Sequence, residues 1–115
     1  MPSRRSDSDN HTPLTPAVFH ILLALADGAL HGYAIMRAVE ETTAPAMRMG
    51  PGTIYGSLQR MEDAGLVEDC GGADDGKRRL YGMTQLGRQA LEAESARIAR
   101  LTVMVRDRGL VPHEV

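Results

Sequence analysis

The stretch PGTIYGSLQRMEDAGLV, residues 51–67, places contact-making side chains on one short helix. Ile54, Leu58 and Met61 fall at i, i+4 and i+7, a single apolar helical face. The remaining surface carries Thr53, Tyr55, Gly56, Gln59 and Arg60. The hydroxyls of Thr53 and Tyr55 can donate to phosphate oxygens. Gln59 can pair with adenine, and Arg60 can reach phosphate or guanine. Gly52, Thr53, Gly56 and Ser57 keep the first turns slim enough to enter a DNA major groove. The free N–H groups of that first turn, with the helix dipole, favour a phosphate. A second segment, GKRRLYGMTQLGR at residues 76–88, gathers Lys77, Arg78, Arg79 and Arg88 with no acid among them. The whole chain has a net charge of only −2, so this is a local anion-binding edge and not a polycation.

The elements that must hold these groups follow from periodicity and punctuation. The 115 residues make one domain, and 43% of them are hydrophobic, enough for one modest core. Residues 1–12 are polar, and we expect a disordered tail. Thr15 and Pro16 open a first helix running to about Asp27. Its two stripes, Val18, Ile21, Leu22, Leu25 and Phe19, Leu23, Ala26, make it apolar nearly all round, so it needs a second contact besides the core. A second helix spans about His31 to Glu41, with Ile35, Met36 and Val39 inward. TTAPAMRMG is a connector. The third helix has Pro51 in its first turn and Gly65 just past its end. Leu66 to Cys70 reads as a strand, GGADDGK as a turn, and Arg78 to Met83 as the returning strand. Thr84 caps a last helix to about Arg108, stopped by Gly109 and Pro112.

Three helices, a hairpin and a long helix predict a mainly α fold with a small β-hairpin: a winged helix-turn-helix over residues 13–83, a dimerisation helix over 84–108 and a tail over 109–115. In such a fold the second helix of the motif lies in the major groove, and here that is the quoted helix. The hairpin is the wing, with Lys77, Arg78 and Arg79 on its tip and return strand.

Three pieces, HGYAI (31–35), PGTIYGSLQRMEDAGLV (51–67) and KRRLYGMTQLGRQAL (77–91), together resemble the PadR family of bacterial transcriptional regulators. With the first helix they cover residues 14 to about 105, and the length is similar to that of the family's short subgroup. The resemblance implies a homodimeric winged-helix repressor of its own or a neighbouring promoter, bound to a pseudo-palindromic operator in double-stranded DNA. It implies DNA-facing roles for Thr53, Tyr55, Gln59, Lys77 and Arg79, to which the residue chemistry adds Arg60 and Arg78. It implies a dimer interface from the first and last helices, which places Phe19, Leu23, Leu91, Ile98, Leu101 and Val105 there. The sequence departs from the family at Gly50, where a Ser cap is common, and at Gly56, Gln59 and Leu80. Relatives in that family bind aromatic or phenolic compounds. A chain with no tryptophan, one phenylalanine and three tyrosines is poorly supplied with stacking partners, so an effector stays unidentified.

Other chemistries fare worse. His20, His31, Cys70 and His113 match no zinc spacing. No paired Ser and His, no Cys and His signature and no Gly-rich loop before a Lys is present, so neither an enzyme nor a cofactor is expected. The single cysteine excludes an internal disulfide. The first residues lack an apolar core, and no run approaches a membrane span. A cytoplasmic protein is the resulting expectation. Tyr81 is expected to pack under the third helix, and His31 and Tyr33 to open the second. The reading from another class is a winged-helix protein-interaction module that does not bind DNA.

Overall fold

The computed structural model describes residues 14–43, 50–72 and 78–111. The expected polar tail, the 44–49 connector, the wing tip with Lys77, and residues 112–115 lie outside them. Helix α1 (Pro16–Ala24) opens as its sequence dictates: the Thr15 hydroxyl accepts from the Val18 N–H at 3.3 Å, with Pro16 in the first turn. It ends three residues earlier than periodicity suggested. The Leu25 N–H is shared between the Ile21 and Leu22 carbonyls, which tightens the last turn before Gly28.

A strand follows that the sequence did not announce. Residues Leu30–His31 form β1, which pairs antiparallel with β3 (Arg79–Met83) through Leu30↔Tyr81 and His31↔Leu80. Two residues between a turn and a helix have no readable period. The sheet is therefore three-stranded, in the order β1-β3-β2, with β2 spanning Val67–Gly72. Helix α2 (Gly32–Thr43) turns Ile35 and Val39 inward, and α3 (Pro51–Asp63) buries Ile54, Leu58 and Met61 as expected. These residues meet Ile21, Leu22 and Leu25 of α1 in one core.

The end of α3 is tied to the start of α4 (Gln85–Asp107). Gly65, at φ +83, donates to the Glu62 carbonyl at 3.0 Å, and Leu66 donates to Met61 at 2.9 Å, a helix-ending double bond that needs a left-handed residue. The Leu66 carbonyl then accepts from the Thr84 N–H at 3.1 Å. The Thr84 hydroxyl donates to the Gly65 carbonyl at 2.6 Å and accepts from the Gly87 N–H at 3.0 Å, so one side chain caps α4 and closes α3. Gly87 sits against this junction: a Cβ there would lie 2.1 Å from the Leu66 carbonyl oxygen.

Helix α4 changes character along its length. Its first half buries Ala90, Leu91 and Glu94 against the winged domain. Leu91 is only 6% exposed inside the chain's own core, so its burial is already supplied there and not by a partner. Glu94 is buried as a charge. Arg97 donates to its two carboxylate oxygens at 2.9 and 2.6 Å, and the Leu14 N–H adds a third bond. The Arg97 bonds hold the Glu94 carboxyl below its ordinary value against the opposing effect of burial. Beyond Arg97 the apolar residues Ile98, Leu101 and Met104 are 37–49% exposed.

Two outcomes follow from this packing. Gly87→Ala should lower stability by roughly 1–3 kcal/mol, because the clash is with backbone and not with a flexible side-chain end; thermal melts of the two proteins measure it. The Glu94 carboxyl is depressed in the folded state, so its stabilisation is full above the unfolded carboxyl's ordinary value and is lost as pH falls through the folded one. Melts across the acid range should show a smaller acid loss for Glu94→Gln than for the unaltered chain.

Candidate nucleic-acid interface

Successive residues of a helix are about 100° apart around its axis, which sorts the surface of α3. Gly52, Gly56, Gln59 and Asp63 fall within about 60° of one another on the outermost line, opposite Ile54, Leu58 and Met61. Thr53 and Arg60 flank this line on one side, and Tyr55 and Glu62 on the other. Gly50 caps α3 without a side-chain acceptor, which matches the departure noted in sequence. The first helical bond is Ile54 N–H to the Gly50 carbonyl at 3.1 Å.

Each expected contact residue takes a definite place. Thr53 and Gln59 are exposed. Gln59 donates through Nε2 to Asp63 Oδ1 at 3.2 Å. Arg60 is exposed but lies back along its own helix, with its guanidinium donating to the Ser57 hydroxyl at 3.3 Å, and it borders a groove shared with Leu14, Thr15 and Val18 of the α1 entry. Tyr55 is placed differently from the expectation. Its ring packs against the core and its hydroxyl is shut off from solvent, so the phenol is not poised to donate outward.

The base of the wing is built around Tyr81, which is 7% exposed. Burial pushes its phenol above the ordinary value; Arg79 opposes this, while Glu62, Asp69 and Tyr55 reinforce it. Tyr81 is enclosed in the core, and the Tyr55 ring packs against that same core. Arg79 forms an ion pair with Asp69 at 3.4 Å, both side chains about one-third exposed. Asp69 also accepts from the Gly71 N–H at 2.8 Å, across the bulge that carries Cys70. Arg78 is exposed on the wing.

The basic run of the sequence is divided by the fold. Arg88 belongs to α4 and donates to the Ala26 carbonyl at 2.9 Å, tying α4 to the end of α1. That leaves Arg78 and Arg79 as the described cations of the wing. Sequence reading missed Asp63 and Asp69, the carboxylates that hold two of the expected contact residues. The Gln59–Asp63 spacing of four was a readable signal. The Asp69–Arg79 pair was not, because it depends on strand register and a bulge. Among the described residues no cluster of three or more His, Cys, Asp or Glu could hold a metal, and no helix is long and apolar enough to cross a membrane.

The apolar residues expected at an interface between subunits are accessible, with one exception. Leu23 is 44%, Ile98 37% and Leu101 42% exposed, and Phe19 and Val105 are half-buried. Leu91 is the exception, enclosed in the core as described above.

Comparison with known proteins agrees with this architecture. The family model described as the transcriptional regulator PadR-like family matches residues 21–93. A transcriptional regulator of Mycobacterium tuberculosis is 35% identical over 83 residues, covering 71% of this chain and 75% of that protein. An uncharacterized 37.1 kDa protein in transposon TN4556 of Streptomyces fradiae is 43% identical over 95 residues, 83% of this chain. The chain spans only 26% of that relative's length. Among solved structures, Bacillus subtilis PadR in complex with operator DNA superposes with a TM-score of 0.57 at 24% identity, over 70% of this chain and 46% of that one. The family consists of transcriptional regulators and not of enzymes. With its family match and its winged-helix architecture, the chain belongs to the PadR-like family of transcriptional regulators.

Proposed function

We propose that the chain is a cytoplasmic, sequence-specific DNA-binding regulator. It acts as a homodimeric repressor of its own or a neighbouring promoter. The observation that supports this reading is the outer line of α3, which has no side chain until Gln59, on a helix that packs against strand β2 of a hairpin carrying Arg78 and Arg79. A bare helix can approach the floor of a major groove, while the wing cations meet the backbone beside it. The operator-bound state of the Bacillus subtilis relative supports the same use here.

Within this reading, Thr53 and Gln59 supply register and base choice, and Arg78 and Arg79 supply phosphate contacts, with Lys77 beside them. Arg60 reaches phosphate after leaving Ser57. Tyr55 acts as the spacer between helix and wing. The exposed apolar residues Leu23 of α1 and Ile98 and Leu101 of α4, with Phe19 and Val105, meet a second subunit. A stable dimer buries on the order of 1,200 Å² or more in total. Two recognition helices about one DNA turn apart would then read a two-fold symmetric operator and occlude the promoter. An effector that changes the angle between the two wings would release it.

Selection from a random duplex library, followed by salt titration on the selected duplex and a scrambled one, tests this function. The expected result is an enriched pseudo-palindrome and an affinity that falls linearly with log salt. Arg78→Ala should weaken both duplexes alike and reduce the salt slope by about 0.9 per subunit. Asp69→Asn keeps an acceptor for Gly71 but removes the charge that competes for Arg79, so it should tighten both duplexes. A module that binds only protein would enrich no sequence and would keep its partner affinity in Arg78→Ala.

A further inference from the structure

The outermost line of α3 ends on a negative charge. Asp63 is exposed, is the last residue of the helix, and lies on the same line as Gly52, Gly56 and Gln59. A carboxylate is doubly misplaced there for ordinary purposes. It opposes the negative end of the helix dipole, and it repels the phosphates of any duplex that α3 enters. Its one described partner is Gln59, whose Nε2 donates to Oδ1 at 3.2 Å. A carboxylate can only accept, so the amide nitrogen and not the amide oxygen must face it. The bond therefore fixes which way round the Gln59 amide stands.

We propose that Asp63 is a specificity-determining positioning residue: it holds the Gln59 amide so that Oε1 and the second Nε2–H project together as an acceptor–donor pair matched to adenine. A primary amide carries two N–H groups, and one is spent on Asp63. The proposal gives Asp63 the N–H trans to Oε1, which leaves the cis N–H and Oε1 side by side, the pattern that pairs with N7 and N6–H of adenine in the major groove. Nothing on the outer line stands in front of them. A Cβ at Gly52 would meet nothing within 4 Å, and one at Gly56 would touch only the Arg60 guanidinium at 3.6 Å. Gln59 is thus the first side chain on the outer line itself, with Thr53 and Arg60 on its flank. Asp63 weakens backbone affinity for every sequence and confers a fixed orientation on the one amide that reads a base.

This inference rests on α3 being the groove-entering helix, and its test separates the two. The duplex is the one selected by the unaltered full-length chain, with each A·T pair replaced in turn by G·C. Gln59→Ala should lose about tenfold or more of the discrimination at one A·T pair per half-site. Asp63→Ala should lose discrimination at that same pair, yet bind a scrambled duplex more tightly because a repelling charge is gone. Asp63→Asn keeps an acceptor without the charge, so it should bind the scrambled duplex more tightly and retain the preference for adenine. The double variant Gln59→Ala with Asp63→Ala should discriminate no worse than Gln59→Ala alone. Full discrimination in Asp63→Ala, or in Gln59→Ala, overturns the inference and leaves DNA reading by the chain intact. A chain that selects no sequence overturns the DNA-binding function, and the inference with it.

Discussion

The Leu66 carbonyl oxygen joins three parts of the molecule. It accepts the Thr84 N–H, it lies where Gly87 has no side chain, and it follows directly on the glycine that ends α3. Helix α3, the wing and α4 therefore diverge from one small knot of backbone. The Thr84 hydroxyl completes it by bonding Gly65 on one side and Gly87 on the other. Backbone contacts of this kind admit no repacking. Any change in the direction of α4 must be transmitted to the base of the wing or must break the knot.

On that frame the contact face is sparse and tempered. Two glycines leave the outer line of α3 bare, and two of the expected contact residues are held by carboxylates of the same chain: Gln59 by Asp63, Arg79 by Asp69. Exposed pairs of this type contribute little to stability. Under the proposed function their weight falls on binding, where they would set the orientation of a side chain and the net charge that a duplex meets.

Much of this was legible in the residues themselves. The i, i+4, i+7 spacing of Ile54, Leu58 and Met61 fixed the buried face of α3, and with it the exposed one. Thr15, Gly65 and Thr84 marked boundaries that the hydrogen bonds reproduce, because capping is local chemistry. What stayed hidden was non-local. The two-residue strand β1 exists only because β3 pairs with it. Arg88, adjacent in sequence to the wing cations, is carried away to the Ala26 carbonyl. Leu91 has the heptad spacing of an interface residue but faces the chain's own core, since the first half of α4 packs on the winged domain. Tyr55 looks like a contact residue by type, while its ring packs against the core from the flank of α3.

Amide hydrogen exchange of the full chain, free and bound to its selected duplex, tests the central claim most directly, because it reports where the DNA lies without altering a residue. The account predicts new protection concentrated in residues 52–60 and at Arg78 to Leu80, with residues 98–105 of α4 unchanged. Protection confined to α4, with none on α3 or the wing, would contradict it.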